Sequence, residues 1–270
     1  MRHHTKIAFL VTSLVASGQL FAKANTDSII WQNKSGQVHY WIMKDASRRA
    51  GVNISTPAAA EWQLKGVGDV NGDRMDDIVW QNTKGQVHYW VIKNGKRTDG
   101  INISTPVDPK WSLKGLGDVN GDHVADLVWQ NTRGQVLYWT MQNGKRMART
   151  DISIPVGPEW HLKGVGDLDG DGTDDIVWQN RTGQVHYWKL KDGKKLKGLN
   201  ISTPVGPEWD LKAVGDLNGD GTDDIIWQNK VGQVHYWALK RGKLIDRVNI
   251  STPAGAEWEL RDTGTLSSPR

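Results

Sequence analysis

Residues 164–180, GVGDLDGDGTDDIVWQN, set five aspartates within nine residues directly ahead of an apolar, strand-like segment. Asp167, Asp169, Asp171 and Asp175 fall at relative positions 1, 3, 5 and 9, with Gly170 and Gly172 between them. Carboxylates crowded this closely repel one another unless a hard cation neutralises them. Ca²⁺ suits them, because it takes about 6–8 oxygen ligands in a flexible shell. Gly172 at position 6 supplies the φ > 0 turn that wraps the chain around an ion, and Thr173 at position 7 offers its carbonyl.

The pattern recurs three times. Asp216, Asn218, Asp220, Thr222 and Asp224 match it fully, with Gly221 at the turn. Asp69, Asn71, Asp73, Met75 and Asp77 keep the acids but carry Arg74 at the turn, and Asp118, Asn120, Asp122, Val124 and Asp126 carry His123 there. A non-glycine residue in the left-handed region costs roughly 1 kcal/mol. Up to four calcium sites are therefore expected, the 167–175 and 216–224 loops being the strongest. Position 12 is Trp80, Trp129, Trp178 or Trp227 rather than Glu, which excludes an EF-hand.

The period of the recurrence determines the fold. All 15 Trp fall into three series, Trp31/80/129/178/227, Trp41/90/139/188/237 and Trp62/111/160/209/258, each with a step of 49 residues. Tyr40, Tyr89, Tyr138, Tyr187 and Tyr236 keep the same step. In the second copy, residues 62–70 read as a first strand, 71–76 as the acidic loop and 77–82 as a short strand. A turn at 83–85, a strand at 86–93, the hairpin turn Asn94-Gly95 and a weaker strand at 101–104 complete the unit. Four antiparallel strands repeated five times predict an all-β protein, a five-bladed β-propeller. The chain enters mid-unit at residues 27–31 and supplies the missing first strand at 257–260, so a blade split between the termini closes the ring. That blade's loop lacks the acids, with Thr265 and Ser28 at the first and last positions.

Residues 1–24 have a basic start, an apolar run at 7–16 and the A-x-A-like Ala22-Lys23-Ala24, the pattern of a secretory signal peptide. Export, extracellular or periplasmic, is expected, with a single domain over 25–270 and no membrane span. Without Arg2, Lys6 and Lys23 the chain has 31 basic against 30 acidic residues, and no basic stripe stands out in the sequence, so nucleic acid is not an expected partner. There is no cysteine, hence no disulfide framework.

Residues 209–229, followed by Gly232-Gln233-Val234-His235-Tyr236-Trp237, resemble the bacterial form of the FG-GAP/VCBS repeat family, W-x-x-x-G-x-G-D-x-N-G-D-G-x-x-D-I-x-W-x-N followed by G-x-V-x-x-W. The resemblance implies a calcium-binding propeller of secreted or cell-surface proteins, used for binding or adhesion. Blade number and repeat length are similar to the tachylectin-2-like lectins.

Metal loops should lie on one face, and the turns after Asn33, Asn82, Asn131, Asn180 and Asn229 on the other. With Trp62, Trp111, Trp160, Trp209 and Trp258 these amides form a candidate carbohydrate surface, because an indole stacks on a pyranose while amides bind its hydroxyls. The alternative is a protein–protein adhesion platform, with the tryptophans filling gaps between blades. A hydrolase or lyase is the remote reading, because no catalytic set stands apart from the repeat and only Leu137, Asp151 and Ile154 in the third blade depart from it. His39, His88, His186 and His235 read as hydrogen-bonded strand histidines, and Asn53, Asn102, Asn200 and Asn249 as strand endings.

Overall fold

The computed structural model describes residues 26–54, 58–104, 107–152, 156–201, 205–251, 254–255 and 257–266. The signal-peptide expectation and Ile154 lie outside these residues. In chain order, β1 (Ser28–Asn33), β2 (Val38–Lys44) and β3 (Ser47–Asn53) precede β4 (Trp62–Gly68), β5 (Asp77–Asn82), β6 (Val87–Lys93) and β7 (Lys96–Ser104). The third unit holds β8 (Trp111–Gly117), β9 (Asp126–Asn131), β10 (Val136–Gln142) and β11 (Lys145–Asp151). The fourth holds β12 (Trp160–Gly166), β13 (Asp175–Asn180), β14 (Val185–Lys191) and β15 (Lys194–Asn200). The fifth holds β16 (Trp209–Gly215), β17 (Asp224–Asn229), β18 (Val234–Lys240) and β19 (Lys243–Ser251), and β20 (Trp258–Gly264) ends the described chain.

These strands form five four-stranded antiparallel sheets. One has the order β20-β1-β2-β3, so the first blade joins both ends of the chain. The innermost strands β4, β8, β12, β16 and β20 pack side by side in that sequence, and β20 returns to β4. The molecule is a closed five-bladed propeller.

Apolar burial lies between blades rather than at one centre. Val79 and Tyr89 of the second blade share a cluster with Leu127, Trp129 and Trp139 of the third, and the other four junctions repeat the arrangement. A middle strand such as Asp77–Asn82 is buried along its whole length, the apolar run Ile78-Val79-Trp80 at its centre and the polar Asp77, Gln81 and Asn82 at its ends. The Trp31 and Trp41 series are buried and pair ring to ring, with Trp80 and Trp90 centroids 4.5 Å apart. Outer strands are exposed and basic, Ser47–Asn53 reading SRRAGVN, and such charge protects a free sheet edge. In the second blade the outer strand starts at Lys96, earlier than its sparse apolar content suggests.

Blade contacts are fastened by polar groups. Gln81 Oε1 accepts the Leu113 N–H of the next blade at 3.1 Å, and Gln32, Gln130, Gln179 and Gln228 make the same bond to Leu64, Leu162, Leu211 and Leu260. The N–H groups of Ala125, Asp174, Asp223 and Asp27 donate to the carbonyls of Asp69, Asp118, Asp167 and Asp216. The first aspartate of every acidic loop is thereby tied to the following blade.

Candidate functional site

Each acidic loop joins the innermost strand of its blade to the second. In the 167–175 loop, Asp167 accepts the N–H groups of Gly170 and Asp171 on Oδ1 and of Gly172 on Oδ2, at 2.7, 3.1 and 2.7 Å. Gly170 and Gly172 have φ of +78° and +84°. The same cradle forms around Asp69, Asp118 and Asp216, even though Arg74 and His123 are held at φ 68° and 67°. The residues at position 7, Met75, Val124, Thr173 and Thr222, donate their N–H to Asp73, Asp122, Asp171 and Asp220.

The last aspartate of each loop is fully buried. Asp77 Oδ1, Asp126 Oδ2, Asp169 Oδ1 and Asp175 Oδ2 are buried with no hydrogen-bond partner. Burial first, helped by neighbouring loop carboxylates, pushes Asp77, Asp126, Asp175 and Asp224 up to about 8. Buried carboxylate oxygens with nothing to accept are the donor set that a hard cation completes, so the residues fit a calcium ion. Ligand atoms of Asp167, Asp169 and Asp175 lie within 4.8 Å of one another. This loop also contains a feature the loop pattern does not reveal: Lys189, from β14, reaches into it and pairs with Asp169 and, at 2.7 Å, with Asp171.

On the opposite face Trp62, Trp111, Trp160, Trp209 and Trp258 are partly exposed. Trp62, Trp160, Trp209 and Trp258 pack against His88, His186, His235 and His39, with centroids 5.7, 5.7, 4.1 and 5.7 Å apart. In the third blade, where Leu137 replaces the histidine, the Arg149 guanidinium lies 5.3 Å from the Trp111 centroid and pairs with Asp151 at 3.2 Å. His39, His88 and His186 hydrogen-bond to Asn53, Asn102 and Asn200, whereas His235 Nε2 is buried without a partner. The candidate amides are largely occupied. Asn82 Oδ1 accepts the Lys84 and Gln86 N–H groups while its Nδ2 donates to Gln86, and Asn33, Asn131, Asn180 and Asn229 close their turns in the same way. Their oxygens hold the turn and are not available to a ligand.

A depression of about 610 Å³ opens on this face between Trp209 and Trp258, lined also by Arg181, Glu208, Glu257 and Lys212. Further in, at the channel, Lys65, Lys114, Lys163, Lys212 and Arg261 gather around one cavity. The linear sequence shows no basic cluster, yet the fold assembles one. The signal was present as a cation three residues after each tryptophan of the Trp62 series.

A closed five-bladed ring with an acidic loop between the inner strands of four blades is a β-propeller of the tandem-repeat class. The chain belongs to the FG-GAP-like repeat family, whose model matches residues 69–129, 118–178 and 167–227. No match was found among curated proteins. Among solved structures, a chain of the nidogen/laminin complex is similar at 9% identity, covering 88% of this chain and 97% of that one, with a TM-score of 0.52. A chain of the Photorhabdus luminescens Tc holotoxin pore is similar at 16% identity and TM-score 0.44 over 82% of this chain, which spans 12% of the toxin chain. These likenesses concern the fold alone. Among the described residues no helix is long and apolar enough to cross a membrane.

Proposed function

We propose that the protein is an exported, calcium-stabilised, non-enzymatic recognition module that binds carbohydrate on the face opposite its metal loops. The observation that carries this reading is the set of five partly exposed tryptophans, each backed by a histidine or arginine of its own blade. An indole supported from behind keeps its orientation and can stack on the apolar side of a sugar ring. The depression between Trp209 and Trp258 adds charged groups for hydroxyls, so the primary site belongs there. Weaker repeats of it around the ring would add avidity. Calcium acts through the fold, by neutralising loops that tie each blade to the next.

The test is a glycan array with residues 25–270 in excess calcium, repeated with Trp209→Ala and Trp258→Ala. Binding to related sugars that either substitution abolishes supports a lectin-like module. A second reading, a protein–protein adhesion platform, is favoured by the engagement of the Asn82-type oxygens in their own turns. One similar propeller is also named for a nidogen/laminin complex. A blank array from a folded, calcium-responsive protein would select the second reading.

A further inference from the structure

Each innermost strand carries a cation three residues after its tryptophan: Lys65, Lys114, Lys163, Lys212 and Arg261. In every strand that residue is the one the ladder skips. Pairing steps from Leu64 to Gly66, Leu113 to Gly115, Leu162 to Gly164, Leu211 to Ala213 and Leu260 to Asp262. Five equivalent β-bulges therefore release five cationic side chains from the strand alternation, a device that re-aims side chains at sites. All five line one cavity of about 290 Å³.

Charge in the cavity is unbalanced. Asp210 pairs with Lys163 and with Lys212, at 2.5 and 2.8 Å, and Glu259 pairs with Lys212 and with Arg261, at 3.0 and 2.9 Å. Asp262, the third acid at the channel, accepts the Val67 N–H at 2.8 Å. Burial pushes Asp262 up to about 8, so five cations meet the two carboxylates of Asp210 and Glu259, and those left without an acidic partner are Lys65 and Lys114. Lys65 reaches only the neutral Gln63, at 3.1 Å, and Lys114 makes no hydrogen bond or ion pair among the described residues. The Nε of Arg261 is buried without a partner. Burial, then Lys114 and Arg261, pull Lys65 down to about 8, the mark of an ammonium lacking its counter-ion.

We propose that Lys65, Lys114, Lys163, Lys212 and Arg261 form a binding site for a small multivalent oxyanion, sulfate or phosphate in chemical class, free or carried on a larger ligand. A tetrahedral oxyanion presents oxygens in several directions at once, as a ring of ammonium donors with one guanidinium requires. The carboxylates lie on the Asp210 and Glu259 side, so the anion settles toward Lys65 and Lys114. This inference is independent of sugar binding, which can be lost without affecting it.

The test is thermal unfolding of residues 25–270 in calcium, with sodium sulfate against sodium chloride at equal ionic strength. Sulfate stabilises most proteins by exclusion from their surface, so the quantity read is the gain relative to Lys65→Gln/Lys114→Gln. The wild-type protein should gain about 3 °C more than the double variant at saturating sulfate. Without sulfate the double variant should melt higher than wild type, because like charges have been removed. Equal gains in both proteins with inorganic sulfate and with a sulfated oligosaccharide alike overturn the proposal. If the double variant does not unfold cooperatively, isothermal titration of wild type with sulfate and with the sulfated oligosaccharide decides, and the absence of saturable heat with both overturns it. A sulfated oligosaccharide forms the second arm: a specific gain with it and none with inorganic sulfate assigns the anion to a larger ligand, whereas a gain with inorganic sulfate assigns a free ion.

Discussion

The Lys189 ammonium sits 2.7 Å from Asp171 inside the 167–175 loop and also pairs with Asp169, although Lys189 belongs to a strand beyond the one the loop leads into. The corresponding positions are Ile42, Val91, Thr140 and Ala238, so only the fourth blade has this tethered cation. The ammonium and a calcium ion would compete for the same oxygens. The loop with the most carboxylates should therefore not be the one with the greatest metal affinity, and the 216–224 loop should bind first.

Replacing Lys189 with Ala should tighten calcium binding at its loop about tenfold, because the ion no longer displaces an ammonium. Without calcium the same change should destabilise the protein by about 3 kcal/mol, since both partners of the pair are largely buried. Calorimetric titration and chelator melts measure the two effects. Unchanged affinity with lost stability would mean that Lys189 stays in place when metal binds.

Stability without metal should fall as pH rises. Asp77, Asp126, Asp175 and Asp224 are held up to about 8 in the fold and titrate near 4 when unfolded. Between those values the folded state binds more protons, so the free energy of unfolding decreases from about pH 4 to pH 8. Calcium supplies the missing charge and should flatten this slope while releasing protons on binding. Melting temperatures across that range, in chelator and in calcium, check it, and two parallel curves would contradict it.

Ala46 occupies a left-handed turn position, φ 56°, where the other blades have Gly95, Gly144, Gly193 and Gly242. Ala46→Gly should raise stability by about 0.5–1 kcal/mol. In the reverse direction, a Cβ at Gly193 would stand 2.0 Å from Tyr138 Oη, so Gly193→Ala should cost more than backbone strain alone. Urea unfolding of the two variants gives both numbers.

Gln81→Ala should destabilise by about 1–3 kcal/mol, because the Leu113 N–H is left buried without its acceptor. Loss of cooperativity in the melt, rather than a lower midpoint only, would show that these amides couple neighbouring blades. An unchanged midpoint would mean that water replaces the amide.

The repeat was legible because its period is local and uninterrupted: fifteen tryptophans at a step of 49 residues count the blades directly. The acidic loops were legible for the same reason, since ligands two residues apart in one turn meet without help from the rest of the chain. Strand ends were less so. The outer strand Lys96–Ser104 carries mainly polar residues on an exposed edge, and edge pairing needs backbone rather than apolar periodicity. The Asn82-type amides read as ligand-binding groups, but their oxygens are taken by N–H groups of their own turns, a pairing that the turn's backbone geometry sets and residue type alone does not.

By itself the sequence determined the fold class, the blade number, the split first blade and the four acidic loops, because each loop is written within one 49-residue unit and the exact repetition of that unit counts the blades and shows which strand the first one lacks. Only the tertiary structure decided which groups meet across units. It brought five cations spaced 49 residues apart to one channel, turned them with five bulges, and placed Lys189 among aspartates 18 and 20 residues earlier. The physical reason is ring closure: packing five inner strands side by side converts a position repeated along the chain into a cluster in space, which no window of sequence contains.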